Sequence, residues 1–202
     1  MVSDSGPATG GRAKKREETR RAIISEARQR FAENGYARVS LAGIVGSLGL
    51  TKGALYHHFD GKEGLFRAVL EDAHREVARS IEAAAPDADA WEQFVRGCEA
   101  FLRSSTAPDV QRIMLIDAPS VLGWDEWRAL DAATSMRHLE AILDELMRRG
   151  TIREQPIGPL VHLLSGAMNE AALWIARSDE RERALMETMD VLSDILESLR
   201  TR

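Results

Sequence analysis

Cysteine is nearly absent, with Cys98 the only one in 202 residues. That excludes an internal disulfide framework and any paired-cysteine zinc or redox site. No stretch of 18 apolar residues occurs, so no transmembrane helix and no membrane partner are expected. The N-terminus is polar and lacks an apolar core segment, so no secretory signal is expected and the expected compartment is the cytoplasm. No alternating run of β-branched residues marks a strand, and no repeat of fixed period appears. The GxSxG, HExxH, GxGxxG and phosphate-loop patterns are all missing. Acidic residues of the C-terminal half are spaced like solvated helix faces. An enzyme is therefore the poorer class, and no cofactor is expected.

What is present is the composition of a water-soluble globular chain, 44% hydrophobic and 29% charged. The length supports one domain or two small ones with a real core. The net charge of −5 hides an asymmetry. Residues 1–62 carry 11 Lys/Arg against 6 acids, net +5, and the other 140 carry 16 against 26, net −10. All four lysines, Lys14, Lys15, Lys52 and Lys62, lie in the first part. A basic first third on an acidic body points to one end that meets a polyanion; chance clustering is the alternative.

Residues 1–13 read as a disordered arm. From Lys14 onward nearly every segment has helical periodicity, giving an all-α fold of about nine helices. Ile24, Ala27 and Phe31 share a face, and Gly35 sits where a helix ends. Ser40 is an N-cap for 41–48, Gly49 stops that helix, and Thr51 caps the next, 52–58. Asp60 and Glu63 form a capping-box pattern before a helix running to about Ala85. Asp87 is the expected cap of a helix carrying Trp91, Phe94 and Phe101. Pro108 opens a shorter helix that Pro119 should break. One long helix is expected over 124–149. The last two are expected over 156–177 and 179–200, the second with Asp179 and Glu182 as capping box.

The informative segment is 40–62. Two short helices joined by Gly49-Leu50-Thr51 have the geometry of a helix-turn-helix, whose second helix enters the DNA major groove. That helix opens with Lys52, Gly53 and Ala54, small enough in part to let backbone approach DNA. Tyr56, His57 and His58 follow one turn later and can donate to phosphates. Lys62 begins the next helix, where its charge and the free N–H groups suit a phosphate. An ordinary corner between two helices, with a surface lysine and a satisfied tyrosine, is the alternative that spacing leaves open.

The run 20–66 resembles the DNA-binding domain of the TetR family of bacterial transcriptional regulators. The resembling residues are Ile24, Ala27, Phe31, Gly35-Tyr36, Ser40 and Ile44. They continue as Gly49-Leu50-Thr51-Lys52-Gly53-Ala54-Leu55-Tyr56-His57-His58-Phe59, Lys62-Glu63 and Leu65. Val45 and Leu48 depart from the family's small alanines, away from the DNA side. The resemblance implies a repressor-like homodimer with an N-terminal three-helix DNA-binding domain over 14–61. It also implies a divergent domain over 62–202 for effector binding and dimerisation. Carried over by position, Ser40, Thr51, Lys52, Gly53, Tyr56, His57, His58 and Lys62 match the DNA-contacting sites, and Leu55 and Phe59 match core positions. The stretches 116–128 and 164–172 also resemble segments seen in several such regulators, without assigning a ligand.

His57 and His58 are adjacent, so on a helix they point about 100° apart and hold no metal. Cys98 lies on an apolar face and reads as a small buried hydrophobe. Trp91, Phe94, Phe101, Met114, Trp124, Trp127, Met136, Met168 and Trp174 crowd aromatic and Met side chains into the C-terminal part. Ordinary core packing explains such a set; adaptable Met and aromatic walls also suit an apolar ligand cavity. Trp91, Phe94, Phe101, Met114, Trp124, Trp127, Met168 and Asn169 are the expected effector-binding residues. Leu185, Met189, Leu192, Leu196 and Leu199 have seam spacing, so the last two helices are the expected homodimer interface, unless that seam faces the protein's own core. The expected function is a repressor released from palindromic operator DNA by a small apolar effector. The alternative is a helical DNA-binding dimer or adaptor without an effector.

Overall fold

The structure, a computed structural model, describes residues 8–201. Apart from one isolated antiparallel bridge between Ile152 and Arg200, the described residues form helices and turns. They divide into two compact units, the first ending at Val69 and the second beginning at Leu70.

The first unit contains α1 (Ala8–Asn34), α2 (Leu41–Ser47), α3 (Lys52–Tyr56) and the start of α4 (Gly61–Glu82). Residues 1–7 of the expected arm lie outside the described residues. Residues 8–13 are helical rather than arm, because the Ala-, Lys-, Arg- and Glu-rich stretch behind them propagates the helix forward. The core gathers Ile23, Ala27 and Phe31 of α1, Ile44 of α2, Leu55 of α3, and Leu65 and Phe66 of α4, all at 1% exposure or less. Phe31, Tyr36 and Phe66 form an aromatic triangle with ring centroids 5.1–5.7 Å apart. Glu26 fastens α1 to α2 by accepting from the Ser47 hydroxyl at 2.7 Å while Arg30 donates to it at 2.6 Å. Those two bonds hold its carboxyl below the usual range.

The second unit contains the rest of α4, then α5 (Ala90–Ser105), α6 (Pro108–Gln111), a π-helical turn (Arg112–Asp117) and α7 (Ala118–Leu122). It continues with α8 (Trp124–Ala132), α9 (Ser135–Arg148), α10 (Ile157–Arg177) and α11 (Arg181–Glu197). α10 packs on α9, α5 and α11, with Leu102, Ile113, Leu143, Leu146, Ala172 and Ile175 at its centre.

Among the described residues the expected nine or so helices become eleven α-helices and a π-helical turn, because two are subdivided. Pro119 does not end its helix. The Ala118 N–H reaches back five residues to the Ile113 carbonyl, and this widened turn precedes a proline that has no N–H to place. The expected helix 124–149 breaks at Ala133-Thr134. The Thr134 hydroxyl donates to the Leu130 carbonyl at 2.9 Å, and Thr134 leaves the helical region at φ −126°, ψ −98°. Two caps also differ. Asp89, not Asp87, accepts from the Glu92 N–H at 2.9 Å, because α5 starts two residues later. α11 starts after Glu180 with no side-chain cap, so the Asp179–Glu182 box does not form. Ser40 and Thr51 cap as expected.

Candidate nucleic-acid interface and ligand cavity

Capping chemistry builds the pair of short helices. The Ser40 hydroxyl accepts from the Gly43 N–H at 3.1 Å, and the Thr51 hydroxyl accepts from the Ala54 N–H at 3.2 Å. Each then keeps its own proton free to donate outward. Between the helices Gly49 takes φ +64°, and the Leu50 N–H closes on the Val45 carbonyl at 2.8 Å. A side chain other than glycine would be strained there.

Below this turn Leu55 and Phe59 are buried, while Thr51, Lys52, Gly53, Tyr56 and His57 are exposed. Tyr56 leaves 58% of its surface to solvent, unusual for so large a side chain. The fold does not need glycine at 53: its φ is not positive, and a Cβ would meet only the Thr51 hydroxyl at 3.8 Å. The half-buried His58 lies beside the Phe59 ring, and its imidazole is pulled down by burial, then by Arg16 and Arg20. Arg12, Arg16 and Arg20 of α1 line a groove with His58. Lys62 is engaged within the unit. Its ammonium donates to the Ala37 carbonyl at 3.2 Å and sits 4.3 Å above the Tyr36 ring, and burial lowers its pKa.

In the second unit a cavity of about 390 Å³ opens between the end of α4, α5, α9 and α10. Of the expected effector-binding residues, Phe94, Phe101 and Met168 line it. The other five lie elsewhere. The Trp91 indole donates to Glu197 at 3.1 Å, under the Arg200 guanidinium. Met114 is 1% exposed, and its carbonyl, in the π-helical turn, accepts from the buried Trp127 indole at 2.8 Å. Trp124 stands 64% exposed with its ring 4.9 Å from that of Trp127. Asn169 is buried with its Oδ1 unpartnered, beside Asp131.

The cavity wall also contains Ile81, Gly97, Cys98, Met136, Leu139 and Ile142, with Gln93, Ser135 and Ser165 as its uncharged polar members. Of these, Cys98 and Met136 stood out in the sequence by residue type, Ser165 lies in the 164–172 stretch, and Ile81 falls on the apolar face of the helix that follows Lys62. Leu139 is readable afterwards as part of the apolar face Met136, Leu139, Leu143 and Leu146 of α9. Burial pushes the Cys98 thiol up to about 12, so it is protonated near neutral pH. Behind the wall, Arg128 donates to the buried Asp131 at 2.8 Å and the Ser165 hydroxyl does so at 3.3 Å. Burial raises the Asp131 pKa, and these donors pull it back. Among the described residues no group of three metal-ligating side chains exists. None of their helices is long and apolar enough to cross a membrane.

A capped short-helix pair with a polar outer face, in a chain with a separate cavity-bearing helical unit, defines the class of helix-turn-helix DNA-binding regulators. The comparisons with known proteins agree. Residues 23–69 match the profile "Bacterial regulatory proteins, tetR family", and residues 91–199 match "Tetracyclin repressor-like, C-terminal domain". A solved TetR-family transcriptional regulator from Pectobacterium atrosepticum is 35% identical, with a TM-score of 0.77 over 94% of this chain and 97% of that one. An HTH-type transcriptional repressor of Mycobacterium tuberculosis is 32% identical over 130 residues, 58% of this chain and 63% of the relative. The regulator UidR of Escherichia coli is 43% identical over 65 residues, about a third of each chain. The chain belongs to the TetR family of bacterial regulatory proteins. It is a DNA-binding transcriptional regulator, not an enzyme.

Proposed function

We propose that this protein is a cytoplasmic repressor that binds a pseudo-palindromic operator as a homodimer and is released by a small apolar effector. Residues 14–61 form the DNA-binding domain, and 62–202 the effector and dimer domain. Lys52 and His58 read base edges in the major groove. Ser40, Thr51, Tyr56, His57 and Lys62 hold phosphates, and Gly53 admits the backbone. The effector occupies the 390 Å³ cavity, and this cavity is the observation that most favours the reading over a dimer without an effector. Its size falls in the range of small-molecule sites, ~300–1,000 Å³. Ile81 and Glu82 of its wall end the same 22-residue helix that begins at the Lys62 turn. A ligand that prefers one position of this helix would shift operator affinity by about 5–150-fold.

The dimer forms through α10 and α11. Leu163, Trp174, Met186, Val191 and Ile195 are each more than half exposed on these helices. Ala167, Ala171, Trp174, Val191 and Ile195 share one shallow apolar groove, the kind of surface a partner copy covers. The seam expected from spacing faces inward instead. Leu185, Leu192 and Leu196 are buried in their own unit, so the residues one position earlier, Val191 and Ile195, carry the interface. The test is fluorescence anisotropy of a labelled operator found upstream of the protein's own or an adjacent gene, with a screen of hydrophobic compounds. Specific binding that one compound reverses supports the proposal; specific binding that no compound changes favours the effector-free dimer.

A further inference from the structure

The cavity wall specifies more than an apolar ligand. Seven large apolar side chains line it, Ile81, Phe94, Phe101, Met136, Leu139, Ile142 and Met168. No lysine or arginine lines it. Its acidic and basic members are Glu82, which is exposed, and His138, whose Nε2 lies 3.4 Å from a Glu82 carboxylate oxygen. The Cys98 thiol in the wall is protonated and offers no nucleophile.

One polar group is left without employment. Ser135 lines the cavity at 7% exposure, and its buried hydroxyl has no hydrogen-bond partner. The other wall serine, Ser165, is already committed to Asp131. Ser135 is also the first residue of α9, a 14-residue helix with no side-chain cap and no acid in its first turn. The preceding Thr134 hydroxyl, which could have capped it, is spent on the Leu130 carbonyl and lies 3.2 Å from His74. The positive end of a helix and a free hydroxyl donor therefore meet at one place in the wall. Both favour an acceptor oxygen, and Ser135 reaches it by rotation about χ1.

A carboxylate would satisfy the same donors but would bury its charge with no ammonium or guanidinium beside it, while the one basic group of the wall, the His138 imidazole, already faces Glu82 at 3.4 Å. We propose that the cavity takes an uncharged, mainly apolar molecule whose ketone, ester, ether or phenol oxygen accepts a hydrogen bond from Ser135. This rests on the effector reading for its biological meaning, not for its physical content.

The test uses the full-length protein and displacement of the fluorescent probe N-phenyl-1-naphthylamine. The competitors are three molecules of like shape: 1-acetonaphthone, 1-naphthoate and 1-ethylnaphthalene. The ketone should bind at least about tenfold more tightly than the carboxylate. Ser135→Ala should weaken the ketone by about three- to tenfold, the worth of one hydrogen bond, and leave the hydrocarbon unchanged. Naphthoate binding as well as the ketone overturns the charge selection. Equal effects of Ser135→Ala on ketone and hydrocarbon, or no displacement by any of the three, overturn the docking site. Operator anisotropy in the same samples separates the two claims. Ketone binding with the Ser135 signature but no operator release keeps this inference and removes the effector reading. Operator release by an anionic compound, with no ketone binding, does the reverse.

Discussion

Lys52 and Lys62 carry the same charge near the same turn, yet the structure gives them different work. Lys52 is exposed at the start of α3, whereas Lys62 is held by a carbonyl and an aromatic face. Lys52→Ala should change folding stability by less than about 0.5 kcal/mol. If it reads a base edge, it should lower operator affinity by about 1–3 kcal/mol. The Lys62 ammonium has three N–H donors and gives one to Ala37, which leaves it able to meet a phosphate, so Lys62→Ala should weaken binding to all DNA, flattening the log–log salt dependence by about one unit. It should also cost about 1 kcal/mol of folding stability from the lost cation–π contact. Urea titrations and DNA titrations at several salt concentrations read both effects. The sequence marked both lysines; the inward contacts of Lys62 needed the position of Tyr36, which no local pattern encodes. His74 was not legible as anything but a helix residue. It is 1% exposed with Nε2 unpartnered, and burial lowers its pKa from 6.5 to about 4. Above pH 6.5 neither state is protonated. Between 6.5 and 4 the unfolded chain takes up the proton and the folded one does not, so stability falls on acidification, by roughly 3 kcal/mol in all. Urea unfolding at pH 7 and pH 5 should show a clearly flatter pH dependence for His74→Asn than for wild type; equal slopes would refute the assignment.

At the scale of elements, α11 has two faces that differ by one residue in register. Leu192 and Leu196 are buried, while Val191 and Ile195 are more than half exposed. Val191→Glu or Ile195→Glu should give a folded monomer of 22.4 kDa by light scattering, with near-wild-type circular dichroism. Leu192→Glu or Leu196→Glu should unfold the second unit, since each buries an unpaired charge. If the exposed-face variants remain dimeric, the dimer forms elsewhere. Spacing of four and three identified an apolar stripe but not what covers it, because own core and partner copy ask for the same period. Helix ends show the same limit. The caps at Ser40 and Thr51 were legible because cap, turn glycine and apolar run agree locally. The break at Thr134 depends on a hydroxyl turning back to Leu130 and on His74, 60 residues away in sequence. Pro119 marks a helix end by propensity, yet the π-helical turn before it carries the helix through, with Trp127 taking up the Met114 carbonyl.

For the whole molecule, charge and architecture agree. The +5 first part contains the capped helix pair and the Arg12, Arg16 and Arg20 groove, and the −10 remainder contains the cavity and the apolar groove of α10 and α11. The all-α class and the DNA-reading helix pair were legible because helical period, caps and the run Thr51-Lys52-Gly53-Ala54-Leu55-Tyr56 lie in one short stretch. The cavity was legible only in part. Its walls come from four helices, so Phe94, Phe101 and Met168 were found by residue type, while Ser135 and Ile142 required the packing. Trp124 and Trp91 show that aromatic content alone does not find a cavity: one is exposed and the other is engaged with Glu197. A dimer that reads an operator through α3 should protect DNA in a two-fold pattern. Nuclease footprinting of the DNA upstream of the protein's own gene tests it most directly, with wild type and Lys52→Ala side by side. Two symmetric protected half-sites are expected, with centres about one helical turn, ~34–36 Å, apart, both lost in the variant. Uniform protection without half-sites, or an unchanged footprint for Lys52→Ala, would contradict it.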